Sequence, residues 1–415
     1  MNPDFRVQRH GKPAARSAVL PAVALLLLAG CVTPVSPAPR VAPGSMPAAQ
    51  EARANHNLRV FDKAWDAVDR RYYDPKLHGV DWRTAAATYG PRATVAADDH
   101  ALYTAINGLL GLLGDHHTGA LTPVQARDFR TQARAMTGFR MLRIGERWVV
   151  DEALPGSPAE AAGVRRGWVV LSRDGQPLGE ELKLPNLKGG EVVRWEFLDD
   201  RDRPVSLALT ACRVSTARQE SRILDGGVVW LRFDKFDFAR MHWLSRELKS
   251  HRGAPAAIID LRHNPGGLLV ALNFVVGEFF DHGFSYAVSV DRTGRTRELK
   301  AILFGSARYA GKIAVLTDEA SGSAAELFAA VIQEQRRGIV VGRKTGGDVL
   351  SARFVRLGDG GLLELSDRDL RTAGGRRLER NGVVPDVACA KPTLEEIRTG
   401  RDPDIEAALR ALRNP

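Results

Sequence analysis

Apolar positions recur at helical spacing through Val60, Phe61, Trp65, Val68 and Tyr72. Tyr73-Asp74-Pro75 stops that pattern, because the residue before a proline is pushed out of the helical region. A second helical run, Ala101 to Leu113, closes on Gly114-Asp115-His116-His117-Thr118. From about Thr137 to Arg213 the period shortens to that of strands separated by turns, among them Arg173-Asp174-Gly175-Gln176. Pro158 and Gly163 bracket one short helix there, with proline at its start and glycine just past its end. Beyond Ser215, short buried-strand patterns such as Ala256–Leu261 and Lys312–Thr317 alternate with Ala-rich helical segments, of which 323–335 is the clearest. The pattern predicts a multidomain α+β chain: a small helical domain over 51–135, a β domain over 137–213, a mixed α/β core over 214–395 and a C-terminal helix over 396–415. No internal repeat is visible.

Composition agrees with a globular body: the 415 residues are 44% hydrophobic and 26% charged. The N-terminus is different. Basic residues (Arg6, Arg9, Lys12, Arg16) precede an apolar run, Ala18–Leu28, too short to span a bilayer but suited to the hydrophobic region of a secretory signal over 1–30. The run ends in Leu28-Ala29-Gly30-Cys31, which resembles the bacterial lipobox. That resemblance implies diacylation of Cys31, and the absence of Asp at position 32 implies the outer membrane, facing the periplasm. The following segment, 31–50, holds five prolines and reads as a stiff tether.

Net charge is +10, of which the signal carries +3, and no basic run is interleaved with aromatics. Nucleic-acid binding therefore has little support, and contact with anionic lipid or an acidic wall polymer suits the balance better. Besides Cys31 there are only Cys212 and Cys389, which could pair in an oxidising compartment or remain separate thiols. No Cys-x-x-Cys or His-x-x-x-His spacing points to a metal, and no organic cofactor is implied.

Two strand-to-turn junctions carry chemistry. The first runs from Ile259 through Asp260-Leu261-Arg262-His263 into Asn264-Pro265-Gly266-Gly267, a turn whose glycines let backbone N–H groups approach another atom closely. His263 beside it reads as packing or solvent-facing. The second is the strand 312–317 followed by Ser323-Ala324-Ala325-Glu326. Ser-x-x-Glu is a capping box, so Ser323 reads equally as a helix cap. A serine there also sits among unpaired N–H groups at the positive end of the helix dipole, where an oxyanion would be stabilised.

Taken together, Asp260–Gly267, Ser321–Leu327, Val341–Gly347 and Glu379–Asp386 resemble the carboxy-terminal processing peptidases and tricorn-type core proteases. Tyr72–Pro75, Asp81-Trp82 and Gly114–Thr118 extend the resemblance through the helical region, so that it covers about 55–390. It implies a crotonase-like protease core, a PDZ-like β domain whose Thr137-Gly138-Phe139-Arg140 loop captures a carboxyl terminus, and Ser323 as nucleophile. Polypeptides with free C-termini would be its substrates. The processing branch places a lysine base 25 residues after the serine, but here that position is Asp348, and Lys344 falls four residues early. The tricorn-type branch instead supplies a histidine from an Asp-x-His-Thr stretch and a glutamate before Gly-Val-x-Pro-Asp. By that resemblance His117 is the general base and Glu379 its orienting carboxylate, with His116 and Lys344 as competitors for the base. Ala324 and Gly266 or Gly267 would donate the oxyanion N–H groups. The competing reading is a PDZ-containing scaffold lipoprotein on the same fold, which would not need Ser, His and Glu together. For the anchor, Cys31→Ser is expected to move the protein from the membrane to the soluble fraction; unchanged fractionation would contradict lipidation.

Overall fold

The computed structural model describes residues 46–180, 186–303 and 308–413. The stretch read as a secretory signal, Cys31 and most of the stretch read as a tether lie outside them. The first helix begins at Ala48, inside the stretch read as tether, and runs to Arg71. Its apolar stripe buries Leu58, Phe61, Trp65 and Val68. Trp65 and Trp82 each donate an indole N–H to the other's carbonyl, at 3.1 and 3.2 Å. Asp81 and Asp98 cap the next two helices, Trp82–Thr94 and Asp99–Leu110, by accepting N–H groups of their first turns.

These helices do not form a domain of their own, as the sequence pattern suggested. Leu357, Leu363 and Leu365 from the far end of the chain belong to the same apolar cluster. Moreover, the strand Gly119–Leu121 pairs antiparallel with Leu362–Thr372. That strand is central to a five-stranded antiparallel sheet with Ser285–Asp291, Thr296–Lys300 and Ser351–Arg356. Three residues are too few for alternation to reveal a strand, so the helical region reads as separate when it is sewn into the core.

A second sheet carries the site. Its six strands run in the order Gln219–Leu224, Val228–Phe233, Ala256–Asp260, Lys312–Thr317, Ile339–Gly342 and Val387–Ala388, all parallel after the first pair. Helices Phe238–Ser250, Leu269–Gly277 and Ala324–Glu334 pack on one face. The C-terminal helix Pro403–Arg413 covers the other through Ala407, Ala408 and Leu412. Burial on both faces explains the unbroken apolar runs at 256–259 and 313–316.

The intervening β domain forms its own sheet, in the order Phe139–Ile144, Arg147–Ala153, Val169–Arg173, Val192–Leu198 and Pro204–Thr210, with Gln176–Pro177 pairing off it. Phe139, Trp168, Trp195 and Phe197 fill its core. The chain enters and leaves through a two-stranded ribbon, Ala133–Met136 against Cys212–Ser215. Cys212, exposed, and Cys389, half-buried, are both free thiols.

Arg262 locks the C-terminal helix to the sheet. Its guanidinium donates to Asp260 at 2.6 Å, Asp402 at 2.9 Å and Asp404 at 3.0 Å, and Asp260 and Asp404 are both buried. Arg262→Met leaves those carboxylates without this partner, and breaking a buried pair costs about 3–5 kcal/mol. We expect a loss of that size in urea unfolding; a change under about 1 kcal/mol would contradict the clamp.

Candidate functional site

The strand Lys312–Thr317 ends at Asp318, whose carboxylate accepts the N–H groups of His263 and Ala320, at 3.0 and 3.1 Å. Ser321 Oγ donates to the Leu261 carbonyl at 2.8 Å, and Gly322 N–H to the Asn264 carbonyl at 3.0 Å. The two junctions singled out in the sequence are thus one structure. At its apex Ser323 adopts φ 52° and ψ −117°, a strained backbone for a side chain other than glycine. Its N–H reaches the Asp348 carbonyl at 2.7 Å and Glu326 Oε1 at 3.2 Å.

Glu326, read from sequence as a capping residue, does more. Fully buried, its carboxylate also accepts the Gly347 and Asp348 N–H groups, both at 2.8 Å, and the Thr345 hydroxyl. Burial raises its pKa to about 7, opposed by these donors. The result is a clasp between the helix Ala324–Glu334 and the segment 345–348.

Of the two glycines, Gly266 donates its N–H to Asn264 Oδ1 at 2.8 Å, which removes it as the oxyanion donor. Its part is steric: a Cβ there would lie 2.6 Å from the Ser323 Cβ. The N–H groups of Gly267 and Ala324 have no acceptor among the described residues, and these two fit the donor role.

His117 is held by Asp115. That carboxylate accepts the His117 N–H at 2.9 Å, the Thr118 N–H at 2.6 Å and the Tyr72 hydroxyl at 2.6 Å. An Asp accepting N–H groups two and three residues on is a local turn pattern, so the spacing Asp-x-His-Thr could have revealed it. The strand beginning at Gly119 then fixes the loop to the core. Burial lowers the His117 pKa, with Asp348 and Asp115 acting in the opposite sense, and its Nδ1 is buried without a partner.

His116 is mostly exposed and its Nδ1 lies 2.6 Å from Asp348 Oδ1. Glu379 is buried, with its pKa raised by that burial, and accepts the Val349 N–H at 2.8 Å. No hydrogen bond joins it to His117. Arg380 donates its N–H to the Gly347 carbonyl at 2.6 Å and its Nη2 to the Gly114 carbonyl at 3.2 Å. Three distant stretches therefore converge on 347–349: the Ser323 turn, the two-histidine loop and the Glu379 segment. Lys344 is exposed and lies outside this network.

In the β domain, Gly138 has φ 96° and its carbonyl accepts from Ser157 Oγ at 2.9 Å and Leu154 N–H at 2.8 Å. The Phe139 ring packs on Trp195, with centroids 4.9 Å apart, in the core of the β domain. His263, read as packing or solvent-facing, sits at φ 60° with Nε2 3.3 Å from Asp318 Oδ2 and lines the cavities between the β domain and the core.

Residues 228–389 match peptidase family S41, and residues 54–111 match the tricorn protease C1 domain. The carboxyl-terminal-processing protease of Picosynechococcus sp. is 26% identical over 378 residues, covering 84% of this chain and 88% of that one. The chloroplastic C-terminal processing peptidase of Tetradesmus obliquus is 29% identical over 383 residues, covering 85% and 80%. The solved photosystem II D1 C-terminal processing protease shares the fold, with TM-score 0.57 at 24% identity, covering 86% of this chain and 97% of that one.

Because the Gly266 position leaves no room for a methyl group, Gly266→Ala is expected to displace Ser323. A shift of about 1 Å can cost about 100-fold in rate. Fluorophosphonate labelling of Ser323 should slow by that order; labelling at the wild-type rate would contradict the packing argument.

Proposed function

This chain belongs to peptidase family S41 and is a serine-type hydrolase of peptide bonds, and we propose that it cuts unstructured polypeptides near their carboxyl ends through an acyl-enzyme on Ser323. His117 takes the Ser323 proton as Oγ attacks the scissile carbonyl, and returns it to the leaving amine as the C–N bond breaks. Water then hydrolyses the ester by the same route. Burial favours the neutral imidazole, the form a base needs. Ala324 and Gly267 N–H groups hold the oxyanion. Glu379 is the carboxylate that steadies the imidazole once substrate closes the site, since catalytic hydrogen bonds are often loose before the substrate binds.

The observation that supports this reading is the convergence of three stretches on 347–349, through the Ser323 N–H, through His116 beside His117, and through the Glu379 carboxylate. An accidental helix cap would not require a buried carboxylate to clasp that segment. The β domain acts as a PDZ-like receptor for the substrate terminus, supported by the open edge of its strand Phe139–Ile144. A signal-like N-terminus and Cys31 support attachment to the outer membrane, facing the periplasm.

In the test, a fluorophosphonate probe labels Ser323 and Ser323→Ala abolishes labelling. His117→Ala abolishes turnover of an unstructured peptide while Lys344→Ala retains it. Labelling that survives Ser323→Ala would overturn the nucleophile, and loss of turnover in Lys344→Ala alone would restore a Ser–Lys mechanism.

A further inference from the structure

A cavity of ≈ 680 Å³ opens between the β domain, the helix Pro123–Thr131 and the core. One wall is the strand Phe139–Ile144, the edge of its sheet, whose outer N–H and C=O groups pair with no other strand. Such an edge accepts an extended chain as an added strand. The opposite wall comes from the core and includes Lys235, His263 and Pro265.

The charges on these walls are unevenly matched. Each acid that lines the cavity already has a cation: Asp128 with Arg213 at 3.0 Å, Asp151 with Arg166 at 3.5 Å, and Asp234 with Arg240 at 3.3 Å. Lys235 has none. Its half-buried ammonium lies 4.0 Å from the centroid of the Phe129 ring and makes no ion pair or hydrogen bond among the described residues. Burial lowers its pKa, with Asp237 the largest opposing charge, so an incoming anion would relieve a real desolvation cost.

Position matters as much as charge. Phe236, next in the chain, donates its N–H to the Gly266 carbonyl at 2.8 Å and accepts the Leu268 N–H at 2.7 Å. Gly266 in turn packs on Ser323. Lys235 is therefore laced to the turn that covers the nucleophile.

We propose that this cavity receives the last residues of the polypeptide substrate, with the chain added to the edge strand Phe139–Ile144 and the terminal carboxylate held by Lys235. The assignment differs from carboxylate capture by the backbone N–H groups of the Gly138–Phe139 loop in placing the terminal charge on a side chain of the core. It makes Lys235 the residue that selects a free chain end and keeps the scissile bond within the last few residues. It rests on the peptidase reading of Ser323, and its test is arranged to fail separately.

The test uses two otherwise identical unstructured peptides, one ending in a free acid and one in an amide, bound to the full-length Ser323→Ala protein and read by fluorescence anisotropy. A charge-assisted hydrogen bond contributes about 1.5–3 kcal/mol, so the acid should bind about tenfold or more tightly than the amide. Lys235→Met should bring that ratio to about one, and Lys235→Arg should retain a clear preference for the acid. Equal affinities in the Ser323→Ala protein, or an acid preference that survives Lys235→Met, would overturn the anchor. With the wild-type protein, fluorophosphonate labelling together with equal cleavage of both peptides defeats only the anchor. Failure to label or cleave, while the acid preference in binding stays sensitive to Lys235, defeats the peptidase reading and leaves the binding site standing.

Discussion

The site depends on a carboxylate buried where no water can serve it. Glu326 is fully buried, so its charge is tolerable only if donors are brought to it, and four arrive: Ser323, Gly347 and Asp348 through their N–H groups and Thr345 through its hydroxyl. Meeting that demand fixes 345–348 against the nucleophile helix. Once those residues are fixed, Val349 presents its N–H to Glu379, Asp348 presents its carboxylate to His116, and Gly347 receives the Arg380 N–H. A single unmet acceptor thus organises contacts with regions remote from it in the chain.

The histidine loop is built on the same logic. Asp115 gathers donors from its own turn and from Tyr72, and accepts the Ser366 hydroxyl at 3.2 Å. Both clusters are polar groups whose satisfaction demands one arrangement of the chain, which is how a buried polar network specifies structure. The His117 ring is the exception: its Nδ1 is left without a partner inside the cluster that positions its backbone.

How much of this was legible in the sequence follows from the range of each interaction. Ser323 at a helix start, the Asn264–Gly267 turn and the buried strand 312–317 are local patterns, and the structure contains each of those elements. Counting 25 residues from Ser323 to Asp348 removed the expected lysine, but not until the fold was in hand did Asp348 emerge as the meeting point of Ser323 and His116. Which glycine N–H remains free depended on the Asn264 side chain, whose conformation no spacing reveals. The strand Gly119–Leu121 was invisible because its partner is distant and its length too short for a period. Lys235 carries no motif at all; its interest comes from the pairing of each acid that lines its cavity, Asp128, Asp151 and Asp234, with another cation.

That short strand also sets a timetable. The chain is made from its N-terminus, so Thr118 waits for Ser366, its hydrogen-bond partner 248 residues later, before the loop bearing His117 can settle. A partly synthesised chain also lacks Leu357, Leu363 and Leu365, which complete the apolar cluster of its first helices. The loop that bears His117 is thus completed only by residues that lie near the end of the sequence.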